Sequence, residues 1–501
     1  MALATVISRA QIGLDAPQVA VEVHLSGGLP GMSVVGLPEA AVRESRDRVR
    51  AALQNCGFRI PPRRVTINLA PADLPKEGGR FDLAIALGIL AASGQLADTR
   101  LARSEFLGEL SLSGNLRPVR GALPAAIHAR RAGRRLIVPR EVAPEAALVD
   151  GAEVLGAAHL LEVCRDLADE EPLPRAVASR PAARPLTEDL ADVRGQAGAR
   201  RALEVAAAGG HNLLMFGPPG TGKTMLARRL PGLLPPLAED EALEVAAVHS
   251  VAFGSFDPSV WGQRPFRHPH HTASPAALCG GGARPRPGEV SLAHRGVLFL
   301  DELPEFDRRA LEGLREPLED GGITISRVSE RIRWPAEFQL VAAMNPCACG
   351  HLGDPIRSCR CTLEQVRRYR TRVSGPLLDR VDLCVEVGRP GDSLLEESAS
   401  PPESTAIVAR RVAAAHRLQQ RRGGQNARLP AGNLARAVRA SGEAMSLLKT
   451  AARQFAFSAR ACHRVLRVAR TVADLAGDAD VTETHLAESL GFRASGIEAG
   501  A

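Results

Sequence analysis

Gly217-Pro-Pro-Gly-Thr-Gly-Lys-Thr224 is the stretch on which the fold turns, because its eight residues match a phosphate-binding loop in full. It lies between an apolar strand at Asn212 to Phe216 and an amphipathic helix, the context such a loop needs. Gly217, Pro218, Pro219, Gly220, Thr221 and Gly222 form a cradle whose backbone N–H groups close around phosphates, and the following helix adds its positive end. Lys223 is expected to reach the β- and γ-phosphates of ATP, and the hydroxyl of Thr224 to ligate Mg2+. A strand, a phosphate loop and a helix in this order predict an α/β fold with a doubly wound parallel sheet.

Working outward, Gly296-Val-Leu-Phe-Leu-Asp301-Glu302 reads as an apolar strand ending in two carboxylates. Asp301 is expected to hold magnesium and Glu302 to polarise the attacking water. The next strand, Gln339 to Ala343, leads to Asn345, placed to orient that water, although an Asn before Pro also starts an ordinary turn. Arg380, in Gly375-Pro-Leu-Leu-Asp-Arg-Val-Asp382, suits a finger offered to a neighbouring subunit's γ-phosphate, which implies a ring. Arg460, in Phe457-Ser-Ala-Arg-Ala461, either reaches the phosphate in its own chain or belongs to a solvated basic helix face.

A chain of 501 residues exceeds what one core usually serves. Its 45% apolar and 24% charged residues are those of a globular protein, and only 3% are aromatic, so Ala, Leu and Val must build the cores. Residues 1–165 alternate β-branched runs (Val19 to Val23, Val65 to Leu69) with helical stretches (Glu39 to Gly57, Phe81 to Ala92) and read as one α/β domain. An acidic, then Pro/Ala/Arg-rich linker follows at 166–188, and the ATPase core is expected at 189–390. After a Pro/Ser-rich break at Gly391 to Glu403, residues 404–495 read as a basic helical domain, with 14 Lys/Arg against 2 Asp/Glu over 405–475. No run approaches the ~20 apolar residues of a membrane span, and Met1 to Thr5 lack the features of a signal peptide, so a cytoplasmic protein is expected.

Cys347-x-Cys349 and Cys359-x-Cys361 place four of the nine cysteines in one loop at 347–361. They are the right number and softness for a tetrahedral structural Zn2+, the alternative being four reduced thiols packed in the loop. His268, His270 and His271 in a Pro-rich loop are expected to make structural or subunit contacts. Ile323 to Pro335 reads as a β-hairpin whose Arg327, Arg331 and Arg333 suit a phosphate backbone, or as an ordinary surface hairpin. With Arg367, Arg368, Arg370 and Arg372 and the basic C-terminal domain, these residues predict DNA binding without sequence preference.

The chain resembles the ComM and YifB family of Mg-chelatase-like AAA+ ATPases. The resemblance is carried by Pro265-Phe-Arg-His-Pro-His-His-Thr272, Gly296 to Glu305, Met344-Asn-Pro-Cys-Ala-Cys-Gly350, Leu377 to Leu383 and Ser458 to Leu475, and covers nearly the whole length. It implies a homo-oligomer, a hexamer, with a C-terminal helical lid, that encircles DNA and moves branched recombination intermediates beside recombination proteins. Lys76-Glu-Gly-Gly-Arg-Phe-Asp82 and Gly108 to Gly121 resemble the proteolytic domain of Lon. There the family's nucleophilic serine falls at or beside Arg80, and Arg120 to Gly133 contains no lysine, so an inactive scaffold is expected. Two other functions stay open: the ATPase subunit of a metal-insertion machine such as magnesium chelatase, and an ATP-dependent protease, disfavoured by the missing serine and lysine.

Overall fold

The computed structural model describes residues 3–36, 40–97, 100–178, 180, 188–282, 285–326, 331–389 and 402–493. Arg327 of the hairpin and most of the break at Gly391 to Glu403 lie outside the described residues. The chain forms two compact units, Met1–Arg184 with Glu239–Trp261, and Pro185–Ala238 with Gly262–Ala501. Among the described residues no helix is long and apolar enough to cross a membrane.

The first unit is built on a seven-stranded mixed sheet, in which Gln18–Ser26 lies between Leu3–Arg9 and Arg64–Ala70 and pairs antiparallel with both. The strands Gln18–Ser26 and Arg64–Ala70 alternate buried and less buried residues, the period of a sheet with one face on a core. Against that face lies Asp82–Ala92, a helix buried at every position. Its sequence is apolar all round because every face meets protein. Gly88 permits the close approach, since a Cβ there would lie 2.6 Å from Cγ2 of Val23. A second cluster forms where Ala122, Leu123 and Ala126 of the helix Ala122–Arg131 meet Leu243, Ala246 and Ala247 of the helix Glu239–Phe253.

The second unit holds a five-stranded parallel sheet in the order Phe266–Arg267, Val297–Leu300, Gln339–Met344, Leu213–Phe216, Leu383–Glu386. The strands Leu213–Phe216, Val297–Leu300 and Gln339–Met344 are buried throughout, which explains why they are apolar except at Gln339, whose amide donates to the carbonyls of Ala206 and His211. The P-loop strand Leu213–Phe216 runs between Gln339–Met344 and Leu383–Glu386, so its carboxyl end opens beside the ends of both. The helices from Thr405 onward belong to the same compact unit. Val408, Val412 and Ala415 of Thr405–Arg421 and Val468 and Val472 of Ala459–Ala476 join Ala202, Leu203 and Val205 of Ala197–Gly209 in one core with the sheet. The hairpin Gly322–Ser326 with Arg331–Pro335 pairs antiparallel, with Trp334 buried and Arg331 and Arg333 exposed.

Candidate nucleotide site

The loop Gly217 to Thr224 links the strand Leu213–Phe216 to the helix Lys223–Leu233. Gly220 and Gly222 take φ of 78° and 88°, left-handed conformations that a residue with a side chain adopts at a cost. At Gly217 a Cβ would stand 2.1 Å from the carbonyl oxygen of Val387, so glycine is required there by contact. Such turns aim successive backbone N–H groups into one concavity, the arrangement that takes an anion. Lys223 is buried and donates to the carbonyls of Gly217 at 2.7 Å and Pro218 at 2.9 Å, and to Oδ1 of Asn345 at 3.3 Å. Burial lowers its pKa, and the nearby Asp301 and Glu302 act against that.

The structure brings Asp301 to Thr224, whose Oγ1 donates to Oδ2 of the carboxylate at 2.7 Å. A hydroxyl and a carboxylate at that spacing, beside a lysine and a Gly-rich turn, fit an octahedral magnesium that keeps several waters. The backbone of Glu302 has φ of 53°, an uncommon conformation for a residue with a side chain, which turns the exposed carboxylate out of the strand direction. Its Oε2 lies 3.1 Å from Nδ1 of His271. His268 packs on Phe299 with ring centroids 4.8 Å apart, and burial lowers its pKa. Thus the Pro265 to Thr272 loop reaches the candidate site through the contact of His271 with Glu302, a contact that spacing in the sequence does not reveal. Gln196 was also missed. Its side chain donates to the carbonyl of Thr221 at 2.6 Å and so ties the start of the helix Ala197–Gly209 to the phosphate loop. The only local signal was its place after Gly195 at the mouth of a helix.

Asn345 follows the strand Gln339–Met344 directly and lies within reach of Lys223. Tyr369, buried on the helix Leu363–Arg370, has its phenol pKa pushed up to about 12 by that burial. Arg380 and Arg460 are not brought to the phosphate loop by any hydrogen bond among the described residues. The guanidinium of Arg380 donates to Glu319 and to the carbonyl of Pro376. Arg460 is exposed on the helix Ala459–Ala476, and its neighbour Arg464 is buried, donating to the carbonyl of Val381 at 3.0 Å and to Asp379 at 3.0 Å.

The basic C-terminal run divides into two sets. Arg411, Arg422, Arg428, Arg439, Arg464 and Arg470 are ion-paired inside the second unit, and Arg467 donates to the carbonyl of Leu429. Arg417, Arg421, Arg436, Lys449, Arg453 and Arg460 are exposed, as is Arg410, whose one hydrogen bond goes to Ala406 of its own helix. Arg428 and Arg439 stay exposed although paired, so less than half of the charge excess is withdrawn from solvent.

In the first unit, Arg80 is the residue at or beside which the sequence resemblance would place a nucleophile. It is buried, donates to Gln11 at 3.1 Å and to the carbonyl of Arg120, and its pKa is lowered to about 10 by that burial. Lys76, also buried, donates to the carbonyls of Gly36 at 3.0 Å and of Pro71. Neither group presents a nucleophile.

Three family models match the chain: "Magnesium chelatase, subunit ChlI" over residues 189–394, "Subunit ChlI of Mg-chelatase" over 21–142, and "Magnesium chelatase, subunit ChlI C-terminal" over 402–493. The chain is 50% identical to a YifB protein of Salmonella typhimurium described as uncharacterized, over 99% of this chain and 97% of that one. It is 49% identical to the competence protein ComM of Haemophilus influenzae, over 99% and 98%. To the magnesium-chelatase 38 kDa subunit of Acidiphilium rubrum it is 26% identical, over 42% of this chain and 55% of that one.

Proposed function

The chain belongs to the YifB and ComM family of Mg-chelatase-like proteins, and from that premise we propose that it is an ATP-hydrolysing AAA+ ring motor that acts on DNA. The observation that carries the ATPase reading is the convergence of Lys223, Thr224, Asp301, Glu302 and Asn345 at the carboxyl ends of three adjacent parallel strands. The backbone of Gly217 to Gly222 and Lys223 bind the phosphates. Thr224 and Asp301 would hold magnesium, which when bound would supply charge neutralisation at the phosphate oxygens. Glu302 accepts a proton-side hydrogen bond from the attacking water, and Asn345 orients that water toward the γ-phosphate. His271 holds the Glu302 carboxylate until nucleotide draws it inward. Arg380 is supplied to the neighbouring subunit, which makes hydrolysis depend on assembly of a hexamer, and Arg460 on the helical lid senses the phosphate.

DNA is favoured over metal insertion by extent of likeness. The relative named for competence matches end to end at 49%, whereas the magnesium-chelatase subunit matches less than half of the chain at 26%. The exposed Arg417, Arg421, Arg436, Lys449 and Arg453, with Arg331 and Arg333 on the hairpin, supply a surface for the phosphate backbone. On this reading the chain is a branch-migration helicase that serves integration of incoming DNA by recombination. The Lon-like first unit is an inactive scaffold, because Arg80 and Lys76 are committed to backbone carbonyls. ATP hydrolysis measured with and without single-stranded and branched DNA tests the proposal. Stimulation that weakens as salt rises is expected; turnover indifferent to DNA at every salt concentration overturns the DNA reading and leaves the ATPase.

A further inference from the structure

The four cysteines of the 347–361 loop converge in space. Sγ of Cys347 lies 3.4 Å from that of Cys349 and 3.6 Å from that of Cys359, and Cys349 lies 3.6 Å from Cys359. All four sulfurs, Cys361 included, lie within 4.8 Å of one another. Zinc–sulfur bonds of about 2.3 Å in a tetrahedron place sulfurs about 3.8 Å apart, so this spacing encloses one ion and leaves no room for a multi-iron cluster. All nine cysteines are free of disulfides. The amide of Cys361 points at Sγ of Cys359 at 3.4 Å. Backbone donors of this kind offset thiolate charge around a bound cation. With four sulfur ligands the ion keeps no open position, so its role is structural.

Both ends of the loop are tied to the nucleotide site. Gly350, at φ of 82°, packs so that a Cβ would lie 2.9 Å from Cδ of Pro219 in the phosphate loop and 3.9 Å from Cγ of Asn345. Beyond Cys361, the helix Leu363–Arg370 begins with a capping box of Thr362 and Gln365. Its last residue, Arg370, donates from Nε to the carbonyl of Pro346, the residue after Asn345, at 3.3 Å. Within the loop, half-buried Asp354 has its carboxylate shielded from solvent and accepts from Ile356, His351 and Arg389, which locks the tip between the cysteine pairs.

We propose that Cys347, Cys349, Cys359 and Cys361 bind one zinc ion, and that this ion is the brace that holds Asn345 and Pro219 in register for the nucleotide. The metal site stands on the sulfur geometry alone; its coupling to turnover rests on the ATPase reading. A loop of this length without the ion loses the cross-link between Pro346, next to Asn345, and the helix Leu363–Arg370, and Gly350 no longer backs Pro219. Oxidation of the thiols would release the ion and slacken the same contacts.

The test uses the full chain purified without chelator. Elemental analysis should find about one zinc per chain. Titration with an organomercurial in the presence of a zinc indicator should release it in step with loss of the four thiols. Binding of a fluorescent ATP analogue, followed in the same titration, should weaken at least tenfold, and Cys384→Ser, outside the loop, should change neither signal. Cys359→Ser should retain the circular dichroism spectrum with zinc reduced to trace levels. Less than about one tenth of an equivalent of any metal in the native chain would overturn the site. Full zinc whose release leaves analogue binding unchanged would overturn the brace. Zinc bound and released as stated, in a chain that binds the analogue and never hydrolyses ATP, would count against the ATPase reading and leave the brace standing.

Discussion

Glu302, at a left-handed backbone position, meets the imidazole of His271 at 3.1 Å, and on the proposed mechanism it must also meet the water that attacks the γ-phosphate. Removing the carboxylate and removing its holder should therefore give different kinetics. Glu302→Gln should keep nucleotide affinity while turnover falls about a hundredfold or more, in the range for loss of a positioned acid–base group. His271→Ala should leave affinity unchanged and alter turnover by less than about tenfold, because the carboxylate stays and only its positioning goes. Steady-state hydrolysis together with equilibrium binding of an ATP analogue separates the two; equal losses in both variants would mean that His271 touches the reaction itself. Lys223→Ala differs from both, since it removes the group that neutralises phosphate charge. Both binding and turnover should disappear. Lys223 and Asp301 were legible in the sequence because a loop and a strand end are local patterns. His271 was not, because thirty residues separate it from Glu302 and only the sheet brings them together.

At the scale of elements, the helix Asp82–Ala92 shows two effects in competition. Replacing Gly88 by Ala raises helix propensity by about 1 kcal/mol. The new Cβ, however, would stand 2.6 Å from a methyl of Val23, which is wholly buried in a sheet strand and has no room to turn. Overpacking of a closed core costs about 1–3 kcal/mol, so the clash wins. Gly88→Ala should lower the midpoint of chemical unfolding, and an unchanged or raised midpoint would show that the strand yields. The apolar run Phe81 to Ala92 predicted the helix correctly, yet its all-round burial follows from the strands and loops that surround it. The strands Val297–Leu300 and Gln339–Met344 were readable for the converse reason, being short, largely apolar runs that stop at Asp301 and Asn345.

Across the whole molecule, the chain enters the second unit at Pro185, leaves it for Glu239–Trp261, and returns at Gly262. The first unit is thus completed by residues that follow the phosphate loop in sequence. A protease site inserted between Arg180 and Glu188 should yield two fragments that co-elute in size-exclusion chromatography. The helix Glu239–Phe253, carried by the larger fragment, fills the core beside Ala122–Arg131 of the smaller one. Fragments that separate would show that this cluster is too small to hold them. Assembly is tested by mixing. Arg380→Ala chains and Lys223→Ala chains, each inactive alone, should recover hydrolysis when combined, because one contributes an intact phosphate loop and the other an intact arginine. No recovery in mixed oligomers would place Arg380 in its own subunit, where Glu319 already holds it.

By itself the sequence determined the parallel α/β core, the phosphate loop with its carboxylate strand, and the four-cysteine loop, since each is written in residues close together along the chain. Which basic residues face solvent, which histidine meets Glu302, and which segment completes the first unit were decided only by tertiary structure. An arginine in a helical run reads the same whether it pairs with Asp474, as Arg422 and Arg470 do, or stands in water like Arg453. The difference lies in the neighbour across the core, and packing supplies that neighbour from distant parts of the chain.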